Sequence, residues 1–156
     1  MQLVSVAGRT QVYLLTQRGS SMRFELYISI GSEDFDGSRF QEKVNVPGAI
    51  VKRIGHLGQQ FDPVRFRAVN VWNSPRHDGS HNPEDDIIRL IENYAHVFCV
   101  LEENRASDVM CWVKIVGYYN EGEDPRGFVF SAETIRIISD IEASLSIDMV
   151  IDMSKA

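Results

Sequence analysis

The sequence predicts an α+β fold: a mostly antiparallel sheet of about five strands with two amphipathic helices packed on one face. Two patterns carry this reading. Residues 22–30 alternate Met22, Phe24, Leu26, Ile28 and Ile30 with Arg23, Glu25, Tyr27 and Ser29, the period of a strand. Behind Asn82 and Ser131, in contrast, Ile and Leu recur at helical spacing. With 156 residues, 44% hydrophobic and 24% charged, the chain has the makings of one domain able to bury a core without disulfide or metal staples.

The elements follow in order. In residues 1–21, Leu3, Val4 and Val6, a Gly8-Arg9 break and Val12 to Leu15 read as an N-terminal hairpin, an extension ahead of a single domain over residues 22–156. The strand of residues 22–30 ends at Gly31-Ser32-Glu33-Asp34, and residues 35–44 read as a short helix or an extended loop before Pro47-Gly48. Residues 49–56 and 64–72 form a predicted hairpin, with Gly55, Gly58 and Asp62-Pro63 as turn residues. In its second strand Val64, Phe66, Ala68 and Trp72 share one face, and Arg65, Arg67, Val69 and Val71 the other.

Asn82 then offers an N-cap, Pro83 suits the first helical position, and Glu84, Asp85 and Asp86 complement the positive helix end. Ile87, Ile91, Tyr94, Phe98 and Leu101 predict one continuous helix. Val109, Cys111, Val113 and Ile115 alternate with Met110, Trp112, Lys114 and Val116, so a central strand covered on one face and partly on the other is expected. Ser131 reads as the next N-cap, with Phe130 and Ile135 as a hydrophobic staple and Ile135, Ile138, Ile141 and Leu145 as the buried stripe. Ile147, Met149, Ile151 and Met153 close the chain as a strand.

Charge is unevenly laid out. Residues 1–42 sum to −1, residues 43–81 to +4 and residues 82–156 to −9, within a total of −6. An acidic total opposes attraction to phosphate backbones and anionic membranes, so neither nucleic acid nor a membrane is an expected partner. Residues 1–21 lack the layout of a secretory signal, and a cytoplasmic location is expected. Cys99 and Cys111, without CxxC spacing, are expected to be reduced and buried.

Chemistry-bearing motifs are weak. His77 and His81 have the i, i+4 spacing of a metal pair, but Gly79 and the cap at Asn82 put them in a loop, and Ser80, His81 and Asp78 lack the strained elbow of a nucleophile. Glu121, Glu123 and Asp124 lack the pattern of a calcium loop. Asp148 and Asp152 share a strand face, where edge charges that discourage pairing explain them more simply than an acid–base pair. No cofactor, metal or catalytic residue is expected. Contact chemistry is better represented. Arg53, His56, Arg65 and Arg67 could gather on one face of the hairpin to hold an anion, and Trp72 could anchor a binding surface or lie beneath the long helix.

The run over residues 128–149, a Ser131-led helix followed by a strand with Asp148 between apolar neighbours, resembles the closing signature of a bacterial family, the domain of unknown function 4279. Upstream, Gly58, the strand end Val71-Trp72-Asn73-Ser74, the helix over residues 85–103 and the strand of residues 22–30 resemble that family in order and spacing. The resemblance covers roughly residues 22–153 and implies a small cytoplasmic α+β domain; it transfers no catalytic residue.

The leading expectation is a non-enzymatic module that binds another protein, with toxin neutralisation of the immunity type as its concrete version. The alternative is an enzyme or small-ligand binder holding an anion with Arg53, His56, Arg65 and Arg67. A third expectation is a homodimer joined along a sheet edge or an apolar helix face.

Overall fold

The computed structural model describes residues 23–53, 60–62, 67–80, 82–104, 106, 108–120 and 127–151. The expected N-terminal hairpin, and residues 54–59 and 63–66 of the second expected hairpin, lie outside these. The elements are β1 (Arg23–Ser32), α1 (Gly37–Val44), β2 (Ile50–Lys52), β3 (Gln60–Asp62), β4 (Arg67–Asn73), β5 (His77–Asp78), α2 (Pro83–Asn93), α3 (Ala95–Asn104), β6 (Met110–Tyr119), α4 (Ala132–Asp140) and β7 (Ala143–Ile151).

An α+β architecture is thus observed, with seven strands and four helices among the described residues where about five and two were expected. The additional strands, β3 and β5, are three and two residues long, too short for an alternation to register. The main sheet runs β2-β4-β1-β6-β7; β3 pairs beside β4, and β5 continues the line of β4 along β1. Every pairing is antiparallel except β6 with β7, which α4 joins as a crossover.

Register explains the core. Leu26 lies opposite Ile115, Ile28 opposite Val113 and Ile30 opposite Cys111, while Val113 and Ile115 in turn face Leu145 and Ile147. Ile30 also faces Trp72 across β1 and β4. These side chains form one apolar face, and all four helices add residues to it: Phe40 from α1, Ile87 from α2, Val97 from α3 and Ile138 from α4. β1 is pinned to the β4–β5 line at its middle and near its start. Ser74 donates its backbone N–H to Ile28 O and accepts the Ile28 N–H on Oγ, each at 2.9 Å. Further along, Gly79 N–H reaches Phe24 O at 2.7 Å, an approach so close that a Cβ at Gly79 would collide with the Phe24 ring.

The helices depart from the expected pattern in two ways. The long helix is broken at Tyr94 into α2 and α3. The Tyr94 backbone leaves helical geometry (φ −106°, ψ 20°), and its buried hydroxyl meets His77 Nε2 of β5 at 2.7 Å. The break resets the phase of α3, which buries Val97 and Leu101 and turns Cys99 outward. Cys99 is therefore exposed, contrary to expectation, while Cys111 is buried; both thiols are free.

The second departure is in α4. Ser131 caps it as expected, with Oγ accepting the Thr134 N–H at 3.2 Å. Ile135, however, is 44% exposed and lies outside the core. Ile138 is buried as expected, and Thr134 is buried beside it, because Glu84 of α2 accepts hydrogen bonds from the Ser131 N–H and, at 2.9 Å, from the Thr134 hydroxyl. That link turns Thr134 toward α2. Leu145, expected in the helical stripe, belongs to β7, since the chain turns at Ile141 and at Glu142 with its left-handed φ of 49°.

Candidate functional site

The residues expected to bind do not assemble among the described residues. Arg53 is exposed and donates to Ser38 Oγ at 3.0 Å, so it leans toward α1 on the helical side of the sheet. Trp72 is fully buried; its indole N–H donates to Gln41 Oε1 at 2.6 Å and its ring meets Phe40 edge-on. It fastens α1 to the sheet and presents no contact surface, a correction to the anchor role considered for it. Trp72 sits on the face that the helices cover, and a large ring there is worth most as core. Arg67 opens β4 with its backbone opposite Asp62. His56 and Arg65 lie outside the described residues.

On the opposite face of the sheet, cations are present but answered from within. Arg76 donates to Glu25 Oε2 at 3.0 Å and lies over the Tyr27 ring. Arg23 donates to Glu25 Oε1 at 3.0 Å, and the Tyr118 hydroxyl to Glu25 Oε2 at 2.8 Å. Burial opposes ionisation of Glu25, but the hydrogen bonds from Tyr118, Arg76 and Arg23, with the Arg76 charge, hold its carboxyl below the usual range. Lys114, near Asp148 and Trp112, is half-buried; desolvation, reinforced by Lys52 and Arg76, pulls its ammonium below the ordinary lysine value against the pull of Asp148. Glu25 and Asp148 thus answer part of the positive charge that Arg23, Lys52, Arg76 and Lys114 bring together here.

The helical layer carries the stronger signal. Helices α2, α3 and α4 bear eight carboxylates against two arginines, a local net charge of −6. Asp86 answers Arg89 at 3.5 Å within α2. Where α2, α3 and the end of α4 meet, a groove of about 600 Å³ opens, floored by Ile91, Phe98, Leu101 and Ile141. Glu92, Glu102, Asp140 and Glu142 form its rim, all exposed. None of Glu92, Glu102 or Asp140 joins an ion pair among the described residues. Its size falls in the ~300–1,000 Å³ range of clefts that hold ligands, and apolar floor with charged rim is the anatomy of a contact surface. Sequence reasoning saw the acidic segment but not the groove, because the groove exists only through the break at Tyr94 and the turn after α4.

A second cavity, of about 310 Å³, lies between α1 and the end of α3, with Asp34, Asp36 and Asp108 near Arg39 and Lys43. Lys43 Nζ donates to the neutral Asn104 Oδ1 across it, which ties α1 to the end of α3. Among the described residues no cluster of three or more His, Cys, Asp and Glu side chains is arranged to hold a metal ion. No described helix is long and apolar enough to cross a membrane.

Comparison with curated proteins and with solved structures finds no match. A family model described as domain of unknown function (DUF4279) matches residues 20–152, most of the chain and every described element. The chain belongs to that family.

Proposed function

We propose that this chain is a non-enzymatic recognition domain whose acidic helical layer binds a basic protein, with neutralisation of a basic toxin as the concrete form. One observation carries the reading: three adjacent helices hold a net charge of −6, and three of their carboxylates, Glu92, Glu102 and Asp140, rim an apolar groove. Opposite charge speeds encounter and suppresses wrong partners, while apolar area supplies the residence time. The ion pair of Arg76 with Glu25 favours this reading over capture of a small anion.

The test is affinity capture from native lysate at low and high salt, comparing the wild-type chain with Glu92→Gln/Glu102→Gln/Asp140→Asn. Expected is a basic protein retained at low salt, released by high salt and lost with the triple variant. A partner set that ignores both salt and the substitutions, or no specific partner at either salt, defeats the reading.

A further inference from the structure

We infer that the groove between α2, α3 and the end of α4 is the seat for an apolar side chain of the partner that is flanked by lysines or arginines. The inference rests on the protein-binding reading and narrows it to one place and one chemistry.

Floor and rim make different demands of an occupant. Ile91 and Leu101 are buried beneath the groove, and Phe98 and Ile141 are half-buried at its surface, so the floor offers hydrocarbon and no hydrogen-bond partner. Only an apolar group gains by entering, because a polar one would lose its water without replacement. Exposed Glu92, Glu102 and Asp140, joined in no ion pair among the described residues, stand around that floor, and among the described residues nothing cationic lines it. An acidic or neutral segment brought there would bring like charge or leave the rim unanswered, whereas lysines or arginines beside the apolar residue would meet the carboxylates. One wall carries Ala95 and Cys99, both exposed, so access to that wall is not blocked by the fold. Glu142 holds its rim position in the left-handed region, at φ 49°, where a non-glycine residue is uncommon.

Cys99 gives the experiment its readout, since Cys111, 2% exposed, serves as the internal control. The intact chain is titrated with a short fluorescent amphipathic peptide of leucine and lysine, and with a leucine–glutamate counterpart, by anisotropy. Alkylation of Cys99 by iodoacetamide is followed by mass spectrometry at saturating peptide. The lysine peptide is expected to bind and the glutamate peptide not to, with Cys99 alkylation slowed roughly tenfold or more under a contact that excludes water. Ala95→Arg, an exposed position at a helix start, should fill the groove and weaken peptide binding by about tenfold while leaving the thermal midpoint unchanged. Lysine-peptide binding that leaves Cys99 alkylation unaltered, or that survives Ala95→Arg, overturns the groove and leaves the broader acidic-layer reading standing. Equal binding of the two peptides overturns the charge selection at the rim.

Discussion

Trp72 and Ser29 show how differently two buried polar groups can weigh. The Trp72 indole N–H is satisfied by Gln41, and its ring packs against Phe40, so Trp72→Phe removes a hydrogen bond and leaves a gap. That substitution should cost about 2–3 kcal/mol, read as a shift in denaturant midpoint at constant slope. Ser29 is fully buried with its Oγ unpartnered, and Asn73, directly opposite on β4, keeps Oδ1 unpartnered as well. A buried hydroxyl without a partner has already lost its water, so its removal forfeits little. Ser29→Ala should therefore leave stability within ~1 kcal/mol of wild type, on the stabilising side. A larger loss would mean that the hydroxyl is hydrogen-bonded after all. Neither outcome could be read in advance: the alternation put Ser29 opposite the helical face, but only the register sets it beside Asn73.

At the scale of elements, the long strands and the caps were legible, and the joints between helices were not. β1 and β6 announce themselves through alternation, and Asn82 and Ser131 through capping chemistry that is local to the chain. The break at Tyr94 is set by a contact with His77 seventeen residues away, and the burial of Thr134 by Glu84, so periodicity alone reads one long helix and adds Ile135 to an α4 stripe whose Ile138 is indeed buried. The groove depends on both and was invisible for the same reason. Glu84 is the joint to test. Its carboxylate takes the Ser131 N–H and the Thr134 hydroxyl, which, against the cost of burial, hold its ionisation below the usual range. Glu84→Gln keeps the shape and removes the charge, and should cost about 1 kcal/mol at neutral pH. Because a lowered carboxylate contributes stability that is present above its ordinary pKa and lost as pH falls through the lowered one, the gap between wild type and variant should close in acid, below about pH 4. A gap that persists there would assign the loss to packing.

The whole molecule separates its charge by layer, and this gives salt two opposed effects. On the helical side, eight carboxylates against two arginines repel one another in the folded state more than in an expanded chain. Ions at physiological strength screen charges beyond about 8 Å, so added salt should relieve that repulsion. On the opposite face, Glu25 with Arg23 and Arg76 would be weakened by the same screening, but those arginines are more than half exposed and each such pair is worth only ~0–1 kcal/mol. Repulsion across three helices outweighs two exposed pairs, so the urea midpoint should rise when sodium chloride is raised from a few millimolar to physiological strength. Affinity for the leucine–lysine peptide should fall over the same range, since the carboxylates that strain the free protein are those that attract it. A midpoint that falls with salt would place the dominant electrostatics in the Glu25 network and remove the physical reason for a basic partner. Opposed slopes, measured on one preparation, would locate the stored repulsion on the surface that binding neutralises.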